Sequence, residues 1–323
     1  MAQRRITVIA VLLCCCLWFI PYSAKASSTA DASTPIDVEQ VCSLTLSFAC
    51  DGTAFSDVPV QLYKVANVST DYQYTLTKSF TSSNLILNGI RSQGEWNVIR
   101  STLEAYILAE RIDANRVLHT DANGQVCFND LTPGLYLVGA ATARKGELHC
   151  FFDAALISLP GLNTEGVWQY QVATISKSGM LPPVEPDETI SLKVIKLWKG
   201  DEGGNSRPKH IEVEIFRNGT SYGKVLLSED NHWSYSWSAA KDDATWTVVE
   251  RNTPEGYRMT VEKREKSFVI TNSLIPQNPD DPLDSPQTGD TSDVMLYVIL
   301  MIVSGSILVV LGFVGKRNRY EDA

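Results

Sequence analysis

Three polar residues fall where an alternating strand pattern buries its side chains. In Leu192-Lys193-Val194-Ile195-Lys196-Leu197-Trp198, Lys196 has the parity of Leu192, Val194 and Trp198, and period-two alternation puts all four on one face. Glu250 shares parity with Trp246 and Val248, and Asn272 with Phe268 and Ile270. A lone buried lysine, acid or amide is costly, whereas the three together compensate one another. An amine, a carboxyl and a carboxamide gathered in an apolar surround can satisfy one another's hydrogen bonds as a polar triad.

The elements that must position these residues read as short alternating strands over 191–199, 210–217, 222–228, 232–238, 245–251, 257–262 and 267–273. Turn signals such as Asn218-Gly219 and Pro254-Glu255-Gly256 separate them. About seven short strands in a unit of this size indicate a β-sandwich. The landmarks Val194-x-Lys196-x-Trp198, Arg207-Pro208, Val213-x-Ile215-x-x-Asn218-Gly219, Trp233-x-Tyr235, Val248-x-Glu250, Pro254-x-Gly256-Tyr257 and Ile270-x-Asn272 run through the whole unit in order. At these residues the segment resembles the Cna B-type domain of Gram-positive adhesins and pilins. The resemblance implies an intramolecular isopeptide bond between Lys196 and Asn272, assisted by Glu250. Burial disfavours charge on both ionisable groups, so a neutral Lys196 amine would attack the Asn272 carboxamide carbon while a protonated Glu250 polarises its oxygen. Ammonia would leave, once per molecule, without enzymatic turnover.

Both ends of the chain read as addresses. Arg4 and Arg5 precede an apolar run from Ile6 to Ile20, and Ala24-Lys25-Ala26 supplies a small-x-small cleavage pattern. Residues 1–26 are therefore expected to be a secretory signal peptide, since about 15 apolar residues fall short of the roughly 20 that span a bilayer. A second apolar run, Val294 to Val314, carries no charge and is followed by Lys316, Arg317 and Arg319, the pattern of one crossing with a cytoplasmic tail. Before it lies Ser285-Pro286-Gln287-Thr288-Gly289. This order resembles the cell-wall sorting signal of Gram-positive surface proteins, LPxTG, with Ser285 in place of Leu. The resemblance implies sortase cleavage between Thr288 and Gly289, transfer of the Thr288 carboxyl to peptidoglycan or another pilin subunit, and membrane contact only through the sorting-signal helix before cleavage.

Proline-rich stretches divide the remainder. The expected organisation is an N-terminal linker (27–38), a pilin-like domain (39–177), a linker (178–188), the Cna B-type domain (189–274), a wall-spanning linker rich in Pro and Asp (275–284) and the sorting signal (285–323). Strands are expected in the first domain over 42–49, 58–66, 72–80, 125–130, 135–143, 148–158 and 167–176. A helix is expected over 95–114, where Trp96, Ile99, Leu103 and Ile107 recur at helical spacing and should face the core. Through Gly124-x-x-x-Phe128-x-x-Leu131-x-Pro133-Gly134-Leu135-Tyr136-Leu137-Val138 and Ile157-Ser158-Leu159-Pro160 this unit resembles the N-terminal domain of Spa-type pilins. It has no lysine between Ala26 and Tyr63, and Gly139 and Ala140 stand where that family often has Glu, so no isopeptide bond is expected here. Beyond the signal peptide, Cys42, Cys50, Cys127 and Cys150 are compatible with two disulfides in any of three connectivities, or with free thiols. The run Trp168-x-x-x-Val172-x-Thr174-Ile175-Ser176-Lys177 is similar to the pilin motif WxxxVxVYPK, departing at Thr174, Ile175 and Ser176. That resemblance implies Lys177 as the amine joined to the next subunit.

Composition narrows the function. A net charge of −9, from 28 Lys and Arg against 37 Asp and Glu, leaves no broad basic surface for nucleic acid. With 44% hydrophobic and 20% charged residues, the body of the chain should fold. The four histidines are dispersed and no CxxC or Cys/His zinc spacing occurs, so neither metal nor cofactor is expected. No Ser/His/Asp arrangement, phosphate-binding Gly loop or HExxH marks a turnover enzyme. The fold expected is mainly β, with two immunoglobulin-like (Cna B-type) β-sandwich domains, the first holding one inserted helix. The function expected is a sortase-anchored Gram-positive surface protein, a pilin subunit or adhesin stalk exported to the cell wall. The alternative is a monomeric wall-anchored module whose first domain recognises a host protein or glycan.

Overall fold

The computed structural model describes residues 34–181, 188–201 and 207–275. The signal peptide, the sorting signal with Thr288 and Gly289, the apolar run 294–314 and most of both proline-rich linkers lie outside the described residues. Among those described, no helix is long and apolar enough to cross a membrane. Among the described residues, those from 34 to 90 and from 96 to 274 belong to one compact unit.

The first sandwich contains β1 (Cys42–Ser47), β2 (Pro59–Val68), β3 (Tyr74–Leu76), helix α1 (Gln93–Glu110), β4 (Arg116–His119), β5 (Gln125–Leu131), β6 (Gly134–Val138), β7 (Ala141–Lys145), β8 (Leu148–Phe152), β9 (Ala155–Leu159), β10 (Gln171–Ile175) and β11 (Ser178–Met180). Its sheets run β10-β1-β5, β11-β8-β7 and β9-β6-β2-β3, with β4 also on β2. In β1, Cys42, Leu44 and Leu46 point inward while the alternate residues are half-buried, as period-two packing requires. All five residues of β6 are buried because its two faces meet different cores. Tyr136 and Val138 pack with β1 and β5 residues such as Leu44 and Phe128, whereas Leu135 and Leu137 pack with Ile99 and Leu103 of α1. This unit is thus layered sheet, sheet, helix.

Helix α1 begins with a capping box. The Glu95 carboxylate accepts from the Arg91 and Ser92 backbone N–H groups at 2.9 and 2.8 Å, and the Ser92 hydroxyl oxygen accepts from the Glu95 N–H. The helix stops four residues before the expected Ala114. Arg111 takes a left-handed φ of 51° and the Ile112 N–H reaches back to the Ile107 carbonyl, closing the end in a Schellman arrangement. Trp96, Ile99, Leu103 and Ile107 meet the core as their spacing predicts.

The second sandwich contains β12 (Thr189–Lys199), β13 (His210–Arg217), β14 (Thr220–Ser228), β15 (Ser234–Ala240), β16 (Trp246–Arg251), β17 (Tyr257–Lys263) and β18 (Ser267–Leu274). Each matches an expected strand to within two residues at either end. The sheets are β15-β12-β18-β17 and β14-β13-β16. Asn218 and Gly219 both have positive φ, 52° and 74°, which is the backbone a tight two-residue hairpin turn demands. The first and last strands, β12 and β18, lie side by side in parallel.

Two further features depart from the sequence reading. First, α1 does not serve one sandwich alone. Ala105 is part of the second sandwich's core cluster, with Leu108 and Ala109 packed against it, and the Thr102 hydroxyl oxygen accepts from the Val261 N–H at 2.8 Å. Arg251 donates to the Ala109 carbonyl at 2.7 Å, satisfying a helix-end acceptor. Phe216 and Val249, outward by alternation, are buried in the same cluster. The small side chains at 102, 105 and 109 allow this second face to approach closely. Second, the first sandwich continues beyond Lys177, because β11 pairs with β8 and the Leu181 N–H donates to the His149 carbonyl.

Of the four cysteines, Cys50 and Cys150 form a disulfide, while Cys42 and Cys127 are free thiols. A second bridge is prevented by register and facing. Cys42 pairs with Leu131 and Cys127 with Thr45, and Cys42 is buried whereas Cys127 is exposed. The bridge formed spans 100 residues of sequence, for which chain-entropy reasoning gives about 4–5 kcal/mol of stabilisation.

The shared helix is testable through Thr102. A Thr102→Val substitution keeps the shape but leaves the Val261 N–H, on a residue 1% exposed, without its acceptor. Urea unfolding should show a loss of about 1–3 kcal/mol. An unchanged midpoint would mean that the contact with α1 adds nothing to stability.

Candidate functional site

Lys196, Glu250 and Asn272 meet inside the second sandwich. Lys196 comes from β12 and Asn272 from the neighbouring β18, while Glu250 reaches across from β16 in the facing sheet. The register sets Lys196 opposite Ile270 and Trp198 opposite Asn272, so the amine and the carboxamide lie diagonally on one inner face. All three residues are buried, Asn272 completely.

The carboxylate joins the other two. The Lys196 Nζ donates to Glu250 Oε2 at 2.7 Å, and the Asn272 Nδ2 donates to Glu250 Oε1 at 2.8 Å. The Lys196 and Glu250 side chains have no exposed surface. Burial pushes the Lys196 amine down from 10.5 to about 8, with the facing Glu250 carboxylate holding it partly up. The amine is therefore closer to neutrality at physiological pH than an exposed lysine's. Asn272 Oδ1 is buried and has no hydrogen-bond partner among the described residues. Carboxamide orientation follows from the hydrogen-bond network. A half-turn would present Oδ1 to Glu250 if the proton of Lys196 had moved there.

Around the triad the surface is aromatic. The Lys196 Nζ lies 4.6 Å from the centroid of the Trp198 ring, and Trp198 meets Trp233 and Tyr257 edge to face at 5.3 and 5.2 Å. Val194, Val213, Val248 and Ile270, each with no exposed surface, complete the apolar surround.

Against this geometry, residues 192–273 match the Cna protein B-type domain family. The second sandwich is a Cna B-type domain. No curated protein matches the chain. Among solved structures, the chain is similar to a single B repeat unit of the collagen-binding surface protein Cna of Staphylococcus aureus (15% identity over 73% of this chain and 100% of that one, TM-score 0.26). It is also similar to the shaft pilin SpaA from Lactobacillus rhamnosus GG (13% identity, 73% and 99% coverage, TM-score 0.26) and to the full-length major pilin SpaD from Corynebacterium diphtheriae (16% identity, 74% and 65% coverage, TM-score 0.29).

The other sequence-derived positions lie apart from the Cna B-type triad. Lys177 sits between β10 and β11 with its side chain 85% exposed, 3.4 Å from the Asp153 carboxylate. Its motif partner Trp168 donates from Nε1 to the Thr34 carbonyl and packs on Tyr72. Lys177 is followed by β11, not directly by the linker. Among the described residues no group of three or more His, Cys, Asp or Glu side chains could hold a metal ion. Sequence reasoning missed Asp201, which accepts from Arg207 at 2.5 and 2.7 Å and from the Tyr257 hydroxyl at 2.9 Å beside the triad. Arg207 and Tyr257 were visible as landmarks, but the turn that carries Asp201 to them has no periodicity to read.

The low value of the Lys196 amine makes a pH prediction. In an Asn272→Ala chain, which has no carboxamide to attack, Lys196 stays titratable. Between about pH 8 and 10.5 the unfolded state binds more protons than the folded one, so stability should rise with pH through that window, by at most about 3 kcal/mol. Urea titrations of this variant against Lys196→Met/Asn272→Ala isolate the effect. A flat difference across the window would contradict the depressed amine.

Proposed function

We propose that this chain is a non-enzymatic surface-protein stalk or pilin subunit of a Gram-positive cell, whose Cna B-type domain is clamped by an amide bond between Lys196 and Asn272. The observation that carries this reading is the fully buried bridge of Lys196 and Asn272 through one Glu250 carboxylate. An ion pair held away from water adds little net stability on its own, whereas the same three groups are the complete reactant set for amide formation.

The step balances within the triad. Lys196 passes a proton to Glu250 and becomes a neutral nucleophile. The Asn272 carboxamide turns its oxygen to the protonated Glu250, which polarises the carbonyl. The Nζ–Cγ bond forms, Glu250 gives its proton to the departing nitrogen and takes the second amine proton, the Cγ–Nδ2 bond breaks, and neutral ammonia leaves with Glu250 still protonated. The new bond would tie the strand where the chain enters the domain to the strand where it leaves. Pulling on the two ends would then load a covalent link in place of the β12–β18 hydrogen bonds.

Sorting by sortase through Thr288 and Gly289 gives such a clamp its purpose, because a wall-anchored protein bears shear. Lys177, exposed and set apart from the triad, is the amine proposed for joining subunits. The partners proposed are sortase, peptidoglycan and further pilin subunits.

The amide bond is tested by intact mass. With its Cys50–Cys150 disulfide reduced, the chain from Ser27 to Thr288, which holds every described element, should weigh one ammonia less than its sequence, and Lys196→Ala or Glu250→Ala should restore the full mass. A full mass in the parent rules the bond out.

Assembly is tested in the producing cell. Thr288→Ala should move the protein from the covalent wall fraction to membrane or medium, and Lys177→Ala should collapse a high-mass ladder to monomer while wall attachment persists. A ladder that survives Lys177→Ala removes that amine from the mechanism, and a parent with no ladder favours a monomeric wall-anchored binder.

A further inference from the structure

The Trp198 ring lies beside the Lys196 amine, and its neighbours include groups outside the triad. Trp198 follows Lys196 on the same inward parity of β12 and lays its ring 4.6 Å from Nζ. Its Nε1 is buried with no hydrogen-bond partner among the described residues, so no polar contact of its own fixes the ring. The ring is held by its neighbours: Trp233 and Tyr257 abut it edge to face, and the Arg207 guanidinium lies 5.8 Å from its centroid.

Two of these neighbours converge on one carboxylate. Gly200, with φ at 72°, turns the chain at the end of β12, a conformation that favours glycine, and presents Asp201 next. Asp201, whose side chain is 5% exposed, accepts both Arg207 nitrogens in a fork at 2.5 and 2.7 Å and the Tyr257 hydroxyl at 2.9 Å. The fork holds the Asp201 carboxyl below its ordinary range, and burial with the Asp201 charge pushes the Tyr257 hydroxyl up to about 12. Both groups therefore keep these states across the neutral range.

We propose that Asp201, through Arg207 and Tyr257, is a positioning residue that clamps the Trp198 indole over Lys196 and so fixes the amine for attack on Asn272. This inference rests on the amide-forming reading above. A lysine side chain has four rotatable bonds, and holding it in one reactive arrangement is where a neighbouring wall contributes to rate. The same wall keeps water from the amine, and this burial outweighs the Glu250 and Asp201 charges that hold the amine partly up. Because the latch residues touch neither Nζ nor the carboxamide, their loss should change how fast and at what pH the bond forms, without abolishing it.

The test follows ammonia loss over time. The Ser27–Thr288 chain, purified unreacted from inclusion bodies in urea, is diluted into buffers from pH 6 to 10 and sampled by intact mass. Arg207→Lys keeps the charge but loses the fork, and Tyr257→Phe keeps the ring but loses the hydroxyl. Both should slow the reaction at pH 7, by tenfold or more for Arg207→Lys and several-fold for Tyr257→Phe. In both, the rising limb of the rate profile should move to higher pH and the final yield at pH 10 should match the parent's. Should Arg207→Lys fail to refold, Tyr257→Phe carries the test alone. Parent-like rates, or a slowing by the same factor at every pH, would assign the three residues to fold stability and overturn the latch. A parent chain that never loses ammonia would instead remove the amide reading itself.

Discussion

Burying one lysine between two sheets is the constraint on which the Cna B-type domain turns. An ammonium without a partner in that interior would cost several kcal/mol, so the amine requires the Glu250 carboxylate at 2.7 Å, and the carboxylate's second oxygen requires the Asn272 donor. Each group is tolerable only because the next is present. The apolar residues around them keep water out, and that exclusion both strengthens the pairing and lowers the amine toward neutrality. Stability and the proposed reactivity thus draw on one arrangement, and the proposed bond, with Glu250 left protonated, would remove both charges that made the arrangement expensive.

The two sandwiches are stiffened in different ways. The first carries a disulfide between Cys50 and Cys150 and contains no lysine on β1. The second has its polar triad, with Lys196 on its first strand, Asn272 on its last and Glu250 facing them from β16. Cys150 lies on β8 and pairs in register with Met180 of β11, so the disulfide also secures the strand that follows Lys177. The exposed lysine therefore stands on a fastened edge.

Helix α1 unites the two units. One face fills the first sandwich through Ile99 and Leu103, and the other contributes Ala105 to the second core. Its C-terminal carbonyl at Ala109 is satisfied by Arg251, the residue directly after Glu250. The loop-borne Asp201 makes long-range contacts in a similar manner, accepting from Arg207 and Tyr257 from a turn.

The sequence by itself determined the strands of the second sandwich, the inward facing of Lys196, Glu250 and Asn272, the Asn218-Gly219 turn and the core face of α1. These follow from local periodicity and turn chemistry, which act over a few residues and need no knowledge of what lies opposite. Tertiary structure alone decided that Cys50 pairs with Cys150, because strand register sets which thiols meet and spacing along the chain does not. It alone decided that Phe216 and Val249 are buried, since alternation describes one sheet and cannot foresee a helix packed on its outer face. The end of α1 at Glu110 was likewise hidden, because a left-handed Arg111 is not a residue that announces a helix stop. Asp201 stayed unread for the same physical reason: a side chain in a turn gains its role from long-range partners that only the folded chain brings within hydrogen-bond distance.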